Sequence, residues 1–456
     1  MFGERGPAHH LACSHDLING RGTEHSARGF SPSIPPKNGR LDGVDLARAL
    51  AVLGMFVSHI GPALILSGRG RTAGAPAEFL GAVSDGHASI LFATLAGVSL
   101  ALLTGGSRPH DGVARRRDRA RIAVRAAILF VLGMALAQIS TEVVVILSFY
   151  ALYFLLALPL LRVPPSRLAV LAAAWAVAGP VMSFFIRREV EGNVGTSGGA
   201  LMFSDLTSLS DAGSGLVRLL LEGTYPVMTW MPLVLAGLAV GRLDLRSAAI
   251  RLRLLAAGVA LAVAGSGGSW LALHVFGGIE ALRPTLDFMR PVAAGLGKDP
   301  LELMQRSNLG TVPTDTPARL LLDGPHSGTP FEIVGSGGWA LAVLALCLLA
   351  GDRFRTLLAP LTAVGALSLT AYAAQVVTLR FLPSEEAMAA HPWVPLLGFV
   401  LGAVTICGLW RRFLGRGPLE RLLHWTSTRT SAALAVPVPG PGAATATMPD
   451  PEPNRS

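Results

Sequence analysis

Residues 40–59 read RLDGVDLARALAVLGMFVSH and open an apolar run that continues to about Leu66. Asp45, Arg48 and His59 lie within or at the edge of this run. Because a helix turns by ~100° per residue, His59 returns to the face of Arg48 after three turns, and Asp45 occupies a neighbouring position. Ionisable groups inside lipid are costly and usually functional. The stretch therefore predicts a first membrane span with a polar line on one face, in which His59 lies roughly 16 Å deeper than Arg48.

A simpler interpretation of the same residues stays open. Asp45 and Arg48 would mark the cytoplasmic end of the span, and His59 would be a core histidine that is hydrogen-bonded to a neighbouring helix. A cavity bordered by Arg48, His59 and His326 would favour the functional interpretation.

The composition indicates an all-α, polytopic membrane protein. Of 456 residues, 51% are hydrophobic and 15% are charged, and the mean hydropathy is +0.52, which is too apolar for a soluble chain of this length. The net charge of +9 does not predict a nucleic-acid partner, because the arginines cluster in short loops without interleaved aromatic residues. The three cysteines, Cys13, Cys347 and Cys407, have no metal-ligand spacing, and no metal site is predicted.

Apolar runs long enough to cross a bilayer recur along the chain and predict about ten transmembrane helices. They lie near 45–66, 87–104, 120–138, 142–161, 168–186, 226–241, 254–275, 332–350, 359–380 and 393–410. Each even-numbered run is followed by arginines, beginning with Arg108 and Arg115 after the second. Because basic residues accumulate in cytoplasmic loops, this alternation places the N- and C-termini in the cytoplasm of a multi-pass plasma membrane protein.

The remaining sequence predicts tails and loops. Residues 1–39 are expected to form a disordered cytoplasmic tail, and residues 40–412 the transmembrane domain. Two long loops, 187–225 and 276–331, would lie outside the cell, where loops of this length carry function or disorder. Residues 413–456 would form a second cytoplasmic tail that is disordered after about 425.

Histidines on the predicted outer side are candidate catalytic groups, because imidazole exchanges protons near neutral pH. His59, His87 and His326 fall in the outer half of a span or in an outside loop, with His87 in SDGHASILF and His326 in LLDGPHSGTPFEI. Prolines and glycines around His326 predict a defined turn. An interfacial residue at 87 and an ordinary polar loop at 326 are the alternatives.

Five stretches in order resemble the uncharacterised bacterial YeiB-like membrane proteins, which in turn resemble the transmembrane heparan-alpha-glucosaminide N-acetyltransferases. They are RLDGVDLARALAVLGMF, DGHASILFATLAGVSLALLTGG, TYPVMTWMPLVLAGLAVGRLDL, PHSGTPFEI and LTAVGALSLTAYAAQV. The resemblance implies transfer of an acyl group from cytoplasmic acetyl-CoA, or another acyl-CoA, to an amine or hydroxyl of a sugar-like acceptor outside.

The resemblance also bears on the catalytic histidine. In the eukaryotic relatives it lies in the loop after the first span, whereas the corresponding residues here, Ser67 to Asp85, contain none. His59 and His87 flank that loop. The separate acyltransferase-3 family begins with an Arg, ten intervening residues and a His on its first span, and Arg48 and His59 match this spacing.

These observations predict roles for individual residues. His59 would act as general base or briefly carry the acyl group, with Asp45 or Glu142 as a polar partner, and His326 or His87 would orient the acceptor. The phosphates of CoA need cations, which Arg48, Arg119, Arg121 or Arg125 would supply. The bias toward basic cytoplasmic loops alone also explains these arginines.

A transporter or flippase for a small or lipid-linked substrate is the alternative function, because transporters also contain broken helices and intramembrane charge. Against it, the first five predicted spans show no repeat in the last five. A membrane scaffold or sensor is a third class. The lipid bilayer and an extracytoplasmic acceptor are the expected partners, and homo-oligomerisation stays open.

Overall fold

The computed structural model describes residues 41–67, 73–140, 143–191 and 199–433, and within them the protein is helical with no β-strand. The predicted N-terminal tail, Glu142 and the last 23 residues lie outside the described residues. The helices are α1 (Asp42–Ile60), α2 (Pro62–Ser67), α3 (Ala75–Ser84), α4 (His87–Leu103), α5 (Gly112–Ile139), α6 (Leu147–Ala157), α7 (Pro165–Glu191), α8 (Leu209–Val217), α9 (Val227–Gly241), α10 (Ala248–His274), α11 (Gly278–Gly295), α12 (Pro300–Arg306), α13 (Pro330–Arg353), α14 (Ala359–Ala366), α15 (Ser368–Leu379), α16 (Glu385–Ala390), α17 (Trp393–Phe413) and α18 (Pro418–Ala433).

Seven segments of the described chain are long and apolar enough to cross a membrane, and nine are if each of two bent helix pairs is counted as one span. The all-α, multi-span prediction is confirmed, but the count of ten is not reached. The difference is the predicted fourth span at 142–161, which forms only the short apolar helix Leu147–Leu160. α6 is enclosed by its neighbours, so its length need not match the lipid layer, which is ~30 Å thick.

The predicted sixth and ninth spans are broken helices. α9 joins the preceding helical segment Leu209–Glu222 at an angle of 59°, so part of the predicted outside loop 187–225 belongs to a bent span. The ninth is broken at Leu367, where α14 and α15 meet at 78°. The break frees the N–H groups of Leu369 and Thr370, and both donate to Oε1 of Glu420 on α18, at 2.9 and 3.0 Å. A carboxylate at a helix N-terminus stabilises it in this way.

α4 forms the centre of the bundle and packs against α1, α9 and α13. α14 packs closely against α1, because Gly365 lies against the carbonyl oxygen of Asp45 and leaves no room for a side chain. α18 packs against α5. It continues to Ala433, so the expected disorder after about 425 is wrong as far as 433. The guanidinium of Arg429 covers the Trp425 ring at 4.3 Å, which holds this part of the helix together.

The ends of the even-numbered predicted spans meet at one end of the bundle. Arg242 donates to the carbonyl oxygens of Ala101, Gly106 and Leu161, at 3.1, 2.9 and 2.5 Å. One buried guanidinium therefore joins the ends of the second, fourth and sixth predicted spans. At the same end, Arg251 forms an ion pair with Asp352 at the end of the eighth predicted span, at 2.6 Å. Arg355 likewise pairs with Asp42 at the start of the first predicted span, at 2.8 Å. The common end agrees with the predicted alternation of basic loops.

Candidate functional site

A buried carboxylate shapes the loop that carries His326. Glu332, in the first turn of α13, is 1% exposed. Its carboxylate accepts the backbone N–H of His326 and of Gly328, both at 2.6 Å, and the hydroxyl of Ser327 at 3.2 Å. Thr329 in turn accepts the backbone N–H of Glu332 at 3.2 Å. Thr329 therefore caps the N-terminus of α13, and Glu332, three residues into the helix, holds the loop that precedes this cap.

His326 has an unusual backbone conformation within this loop. Its φ of +56° is the only positive value of a non-glycine residue in the described parts of the chain. Its carbonyl oxygen accepts the N–H of Gly310 at 2.7 Å, and Gly328, at φ +63°, lies against the carbonyl of Gly310. Such conformations persist only where surrounding contacts hold them, and they concentrate at functional sites.

The imidazole of His326 is buried next to two aromatic rings. Its ring centroid lies 5.9 Å from that of Tyr225 and 6.2 Å from that of Trp230. Burial lowers the pKa of His326, as does the nearby His87, whereas Asp85 raises it. Nδ1 is buried and has no hydrogen-bond partner among the described residues. A neutral imidazole with an unused nitrogen can exchange a proton with a ligand.

His87 approaches this loop from the start of α4. A Cβ on Gly86 would lie 2.8 Å from Cβ of Pro325, and Gly86 has φ +71°, so only glycine lets the two turns touch. Nδ1 of His87 lies 3.0 Å from the carbonyl oxygen of Asp85. Because a carbonyl only accepts, Nδ1 carries the proton. The ring lies 4.8 Å from that of Trp339 on α13.

His59 completes the group from the end of α1. Its Nδ1 lies 2.8 Å from the side-chain nitrogen of Gln375 on α15, so the hydrogen bond to a neighbouring helix expected of a core histidine is present. The ring also interacts electrostatically with His326, which interacts in the same way with His87. His59, His87 and His326, here called the histidine cluster, therefore come together from three elements of the fold.

An aromatic group beside the histidine cluster was not predicted from the sequence. It contains all four tyrosines of the chain, Tyr150, Tyr153, Tyr225 and Tyr372. Tyr150 lies 5.7 Å from Tyr153 between ring centroids, and Phe92 stacks between Tyr150 and Tyr372 at 5.5 and 6.1 Å. Tyr153 donates its hydroxyl to the carbonyl of Tyr225. The burial of four tyrosines together has no local sequence signal, because they come from α6, α15 and the start of α9.

The predicted donor-binding arginines divide into two groups. Arg125 on α5 interacts electrostatically with Arg121, with Arg416, which follows α17, and with Arg48. These four are called the arginine cluster. Arg119 lies on the exposed side of α5, apart from them. The sequence could not separate them, because the side of α5 that faces the bundle depends on where α18 packs.

Members of the arginine cluster also have local partners. Arg48 donates to Asp45 at 2.8 Å and to the hydroxyl of Ser99 at 2.7 Å, and Nε of Arg125 donates to Ser427 at 3.4 Å. Burial lowers the pKa of His424 on α18, and so do Arg416, Arg125 and Arg121. The site therefore combines positive charge from α1, α5 and the C-terminal helices.

Two cavities lie elsewhere in the bundle. One, of about 420 Å³, has Arg355, Arg411 and Arg412 in its wall. A second, of about 580 Å³, is apolar and lies between α5, α6 and α8. Neither of these two is lined by Arg48, His59 or His326, so the continuous cavity expected from the sequence is not one of them.

The sequence matches two protein families. Residues 40–272, just over half of the chain, match the family described as heparan-alpha-glucosaminide N-acetyltransferase, catalytic. Residues 330–430 match a family of proteins of unknown function, DUF418. No curated protein matches the chain. The first match contains His59, His87 and three members of the arginine cluster, the second contains Glu332 and Gln375, and His326 lies between them. The protein therefore belongs to the heparan-alpha-glucosaminide N-acetyltransferase-like, YeiB-like family of membrane acyltransferases.

Proposed function

We propose that this protein is a plasma membrane enzyme that transfers an acetyl or other acyl group from cytoplasmic acyl-CoA to an amine or hydroxyl of a sugar-like acceptor on the outer side. The proposal rests on one observation above all: the histidine cluster gathers at one end of α1, and the arginine cluster surrounds the other. His59 lies eleven positions after Arg48, which is roughly 16 Å along the helix. The long, thin pantetheine arm of CoA suits such a separation.

The donor would bind with its phosphates at the arginine cluster. Arginine binds phosphate oxygens through charge-assisted hydrogen bonds. Arg125 and Arg121 on α5 face Arg416 and His424, which come from the C-terminal helices, so phosphate would offset the repulsion among them. Arg119, on the exposed side of α5, takes no part in this proposal.

Transfer would take place at the histidine cluster. The acceptor nitrogen or oxygen forms a bond to the thioester carbonyl carbon and loses its proton to an imidazole. The carbon–sulfur bond then breaks, and the departing thiolate takes up that proton to leave CoA as a thiol. A hydrogen-bond donor at the carbonyl oxygen would stabilise the negative charge that develops there. The neighbouring tyrosine rings would exclude water from the thioester.

The function is tested with purified protein in sealed vesicles. Labelled acetyl-CoA is added outside vesicles in which the cytoplasmic face is outward, and glucosamine is enclosed as the acceptor probe. We expect labelled N-acetylglucosamine inside, and a large loss of transfer in His59→Ala and His326→Ala. The proposal would be contradicted if the protein is folded and neither the enclosed amine nor an enclosed hydroxyl acceptor becomes labelled.

The arginine cluster is tested by a matched pair on α5. Arg125→Ala should raise the KM for acetyl-CoA, because it removes a charge beside the proposed phosphates. Arg119→Ala, six residues earlier on the exposed side, should leave the KM unchanged. Arg411→Ala tests the separate cavity of about 420 Å³. A KM that responds to Arg411 and not to Arg125 would move the donor site there.

One feature favours transport as a second candidate function. Two helix pairs are bent at short breaks, by 59° and 78°, and broken helices are typical of transporters, in which they line substrate sites. Exchange of labelled glucosamine across vesicles without acetyl-CoA would support this alternative. Transfer that requires acetyl-CoA supports the acyltransferase.

A further inference from the structure

The side-chain amide of Gln375 lies between two groups of α1. Its Nε2 is 3.4 Å from the carbonyl oxygen of Met55 and 2.8 Å from Nδ1 of His59. Gln375 is buried, and its Oε1 has no hydrogen-bond partner among the described residues. The amide has two N–H donors, so it can donate to both α1 groups at once.

The orientation of this amide follows from its neighbours. A backbone carbonyl oxygen only accepts hydrogen bonds, so the amide nitrogen and not its oxygen belongs beside Met55. The reversed amide would bring two oxygens together there. It would also place two buried N–H groups where Oε1 now has no partner, and a buried unpaired donor costs more than an unpaired carbonyl lone pair.

The tautomer of His59 follows in turn. When Gln375 donates to Nδ1, this nitrogen must present its lone pair. A neutral imidazole has one N–H, which then lies on Nε2. His59 therefore offers the rest of the site a hydrogen-bond donor and no free lone pair.

We propose that Gln375 is a positioning residue that holds the proton of His59 on Nε2, so that His59 donates a hydrogen bond during acyl transfer instead of acting as the general base. This inference rests on the proposed function. The Nε2–H of His59 binds the thioester carbonyl oxygen, where negative charge develops as the acceptor adds to the carbonyl carbon. His59 keeps its proton throughout.

The acceptor proton then goes to a different group, and His326 is the neighbouring imidazole. Its Nδ1 has no hydrogen-bond partner in the described parts of the chain, so this nitrogen can present a lone pair to the acceptor. Burial, which lowers its pKa, keeps the ring neutral near pH 7. His326 takes the proton from the acceptor and returns it to the sulfur of CoA when the carbon–sulfur bond breaks.

The tautomer is measured directly by ¹⁵N NMR on the full chain with labelled histidine, in nanodiscs, and His59→Asn identifies the His59 signals. We expect an unprotonated Nδ1 and a protonated Nε2 in the wild type. Gln375→Leu should give a mixture of tautomers, and Thr378→Val, one turn further along α15 on its exposed side, should change nothing. A proton on Nδ1 in the wild type, or an unchanged spectrum in Gln375→Leu, would overturn the inference.

This measurement needs no turnover, so it separates the role of Gln375 from the proposed function. If transfer is absent but the Nε2–H tautomer is found, the proposed function fails and the positioning by Gln375 stands. If transfer is present but the proton lies on Nδ1, the proposed function stands and the positioning by Gln375 fails.

A second arm uses transfer and distinguishes a donor from a base. In Gln375→Glu the carboxylate attracts a second proton onto Nδ1, and Nε2–H is kept. We expect this variant to retain activity within about threefold, whereas Gln375→Leu, which leaves the donor unoriented, should lose about tenfold. If His59 were the base, the glutamate would abolish transfer, because a doubly protonated imidazole cannot accept a proton. Loss of transfer in a Gln375→Glu protein that is folded and has a doubly protonated His59 would therefore overturn the inference, and if this variant does not fold, the NMR comparison decides.

Discussion

The carboxylate of Glu332 accepts the backbone N–H of His326 at 2.6 Å, and this bond holds His326 in a backbone conformation that few residues other than glycine adopt. The same carboxylate accepts the N–H of Gly328. The position of the His326 imidazole therefore depends on a side chain six residues further along the sequence, inside the first turn of α13.

Replacement of Glu332 by Gln should weaken this loop. The amide has one acceptor oxygen in place of two, so a buried N–H loses its partner, which costs about 1–3 kcal/mol. We expect a lower Tm in detergent and a loss of acyl transfer. Glu302→Gln, in the exposed first turn of α12, is the control and should change neither. An unchanged Tm in Glu332→Gln would show that the loop is held by other contacts.

The stability of the protein should depend on pH through His326. Because burial lowers the pKa of this imidazole in the folded state, protonation favours the unfolded chain. Its contribution is complete above the ordinary pKa of about 6.5 and is lost as the pH falls toward the lower pKa of the folded state. We expect the Tm to fall between pH 7.5 and 5.5, and to fall less in His326→Asn, since asparagine tolerates a positive φ. An equal decrease in both proteins would assign the effect to other groups.

Gly365→Ala should prevent the normal packing of α14. The new methyl group would overlap the carbonyl oxygen of Asp45 on α1, and neither helix backbone can yield without losing other contacts. We expect a loss of about 3 kcal/mol or more, measured as a lower Tm or a lower yield of folded protein. Gly398→Ala on α17, where a Cβ would meet no atom within 4 Å, should be neutral. Equal behaviour of the two variants would disprove the close approach of α14 and α1.

Glu420→Ala should loosen the start of α15. It removes the acceptor for the N–H groups of Leu369 and Thr370, for which a loss of about 1–2 kcal/mol is expected. Hydrogen exchange at these two amides, followed by mass spectrometry, should increase. Glu386→Ala, on the exposed surface of α16, serves as the comparison. Unchanged exchange would mean that the break is stabilised from elsewhere.

Binding of acyl-CoA should raise the pKa of His424. In the protein alone, burial and three arginines lower this pKa, and added phosphate would offset the arginine charges. Titration of the His424 signal by NMR with and without CoA measures the shift. Dephospho-CoA, which lacks the 3′-phosphate, should give a smaller pKa shift if that phosphate binds near His424. No shift at saturating CoA would place the phosphates away from the arginine cluster.

Much of the fold was predictable from the sequence because lipid imposes simple rules. Apolar runs and basic loops identified most spans, and the meeting of Arg242 with Leu161 and Ala101 agrees with their order. The break at Leu367 was missed, because Gly365 and Ser368 are ordinary residues in a transmembrane helix and the partner that stabilises the break, Glu420, lies more than fifty residues further along the chain.

The candidate site was only partly predictable. The sequence identified the three histidines of the cluster as candidates, and the fold brings them together; their catalytic role stays a prediction. The sequence contains no signal for Gln375 or Glu332, because the role of a buried amide or carboxylate depends on which groups it contacts in the folded protein. Arg119, one of the four arginines predicted as candidate phosphate ligands, lies on the exposed side of α5, because neighbouring helix positions face different directions, and its role stays a prediction.

The contact of Glu420 with the start of α15 has a mechanical consequence. α15 is a continuous helix from Ser368, and Gln375 lies two turns from that end, roughly 10 Å along the axis. A hydrogen-bonded helix resists stretching, so a displacement of Glu420 on α18 would move α15 along its axis and, with it, the amide beside His59.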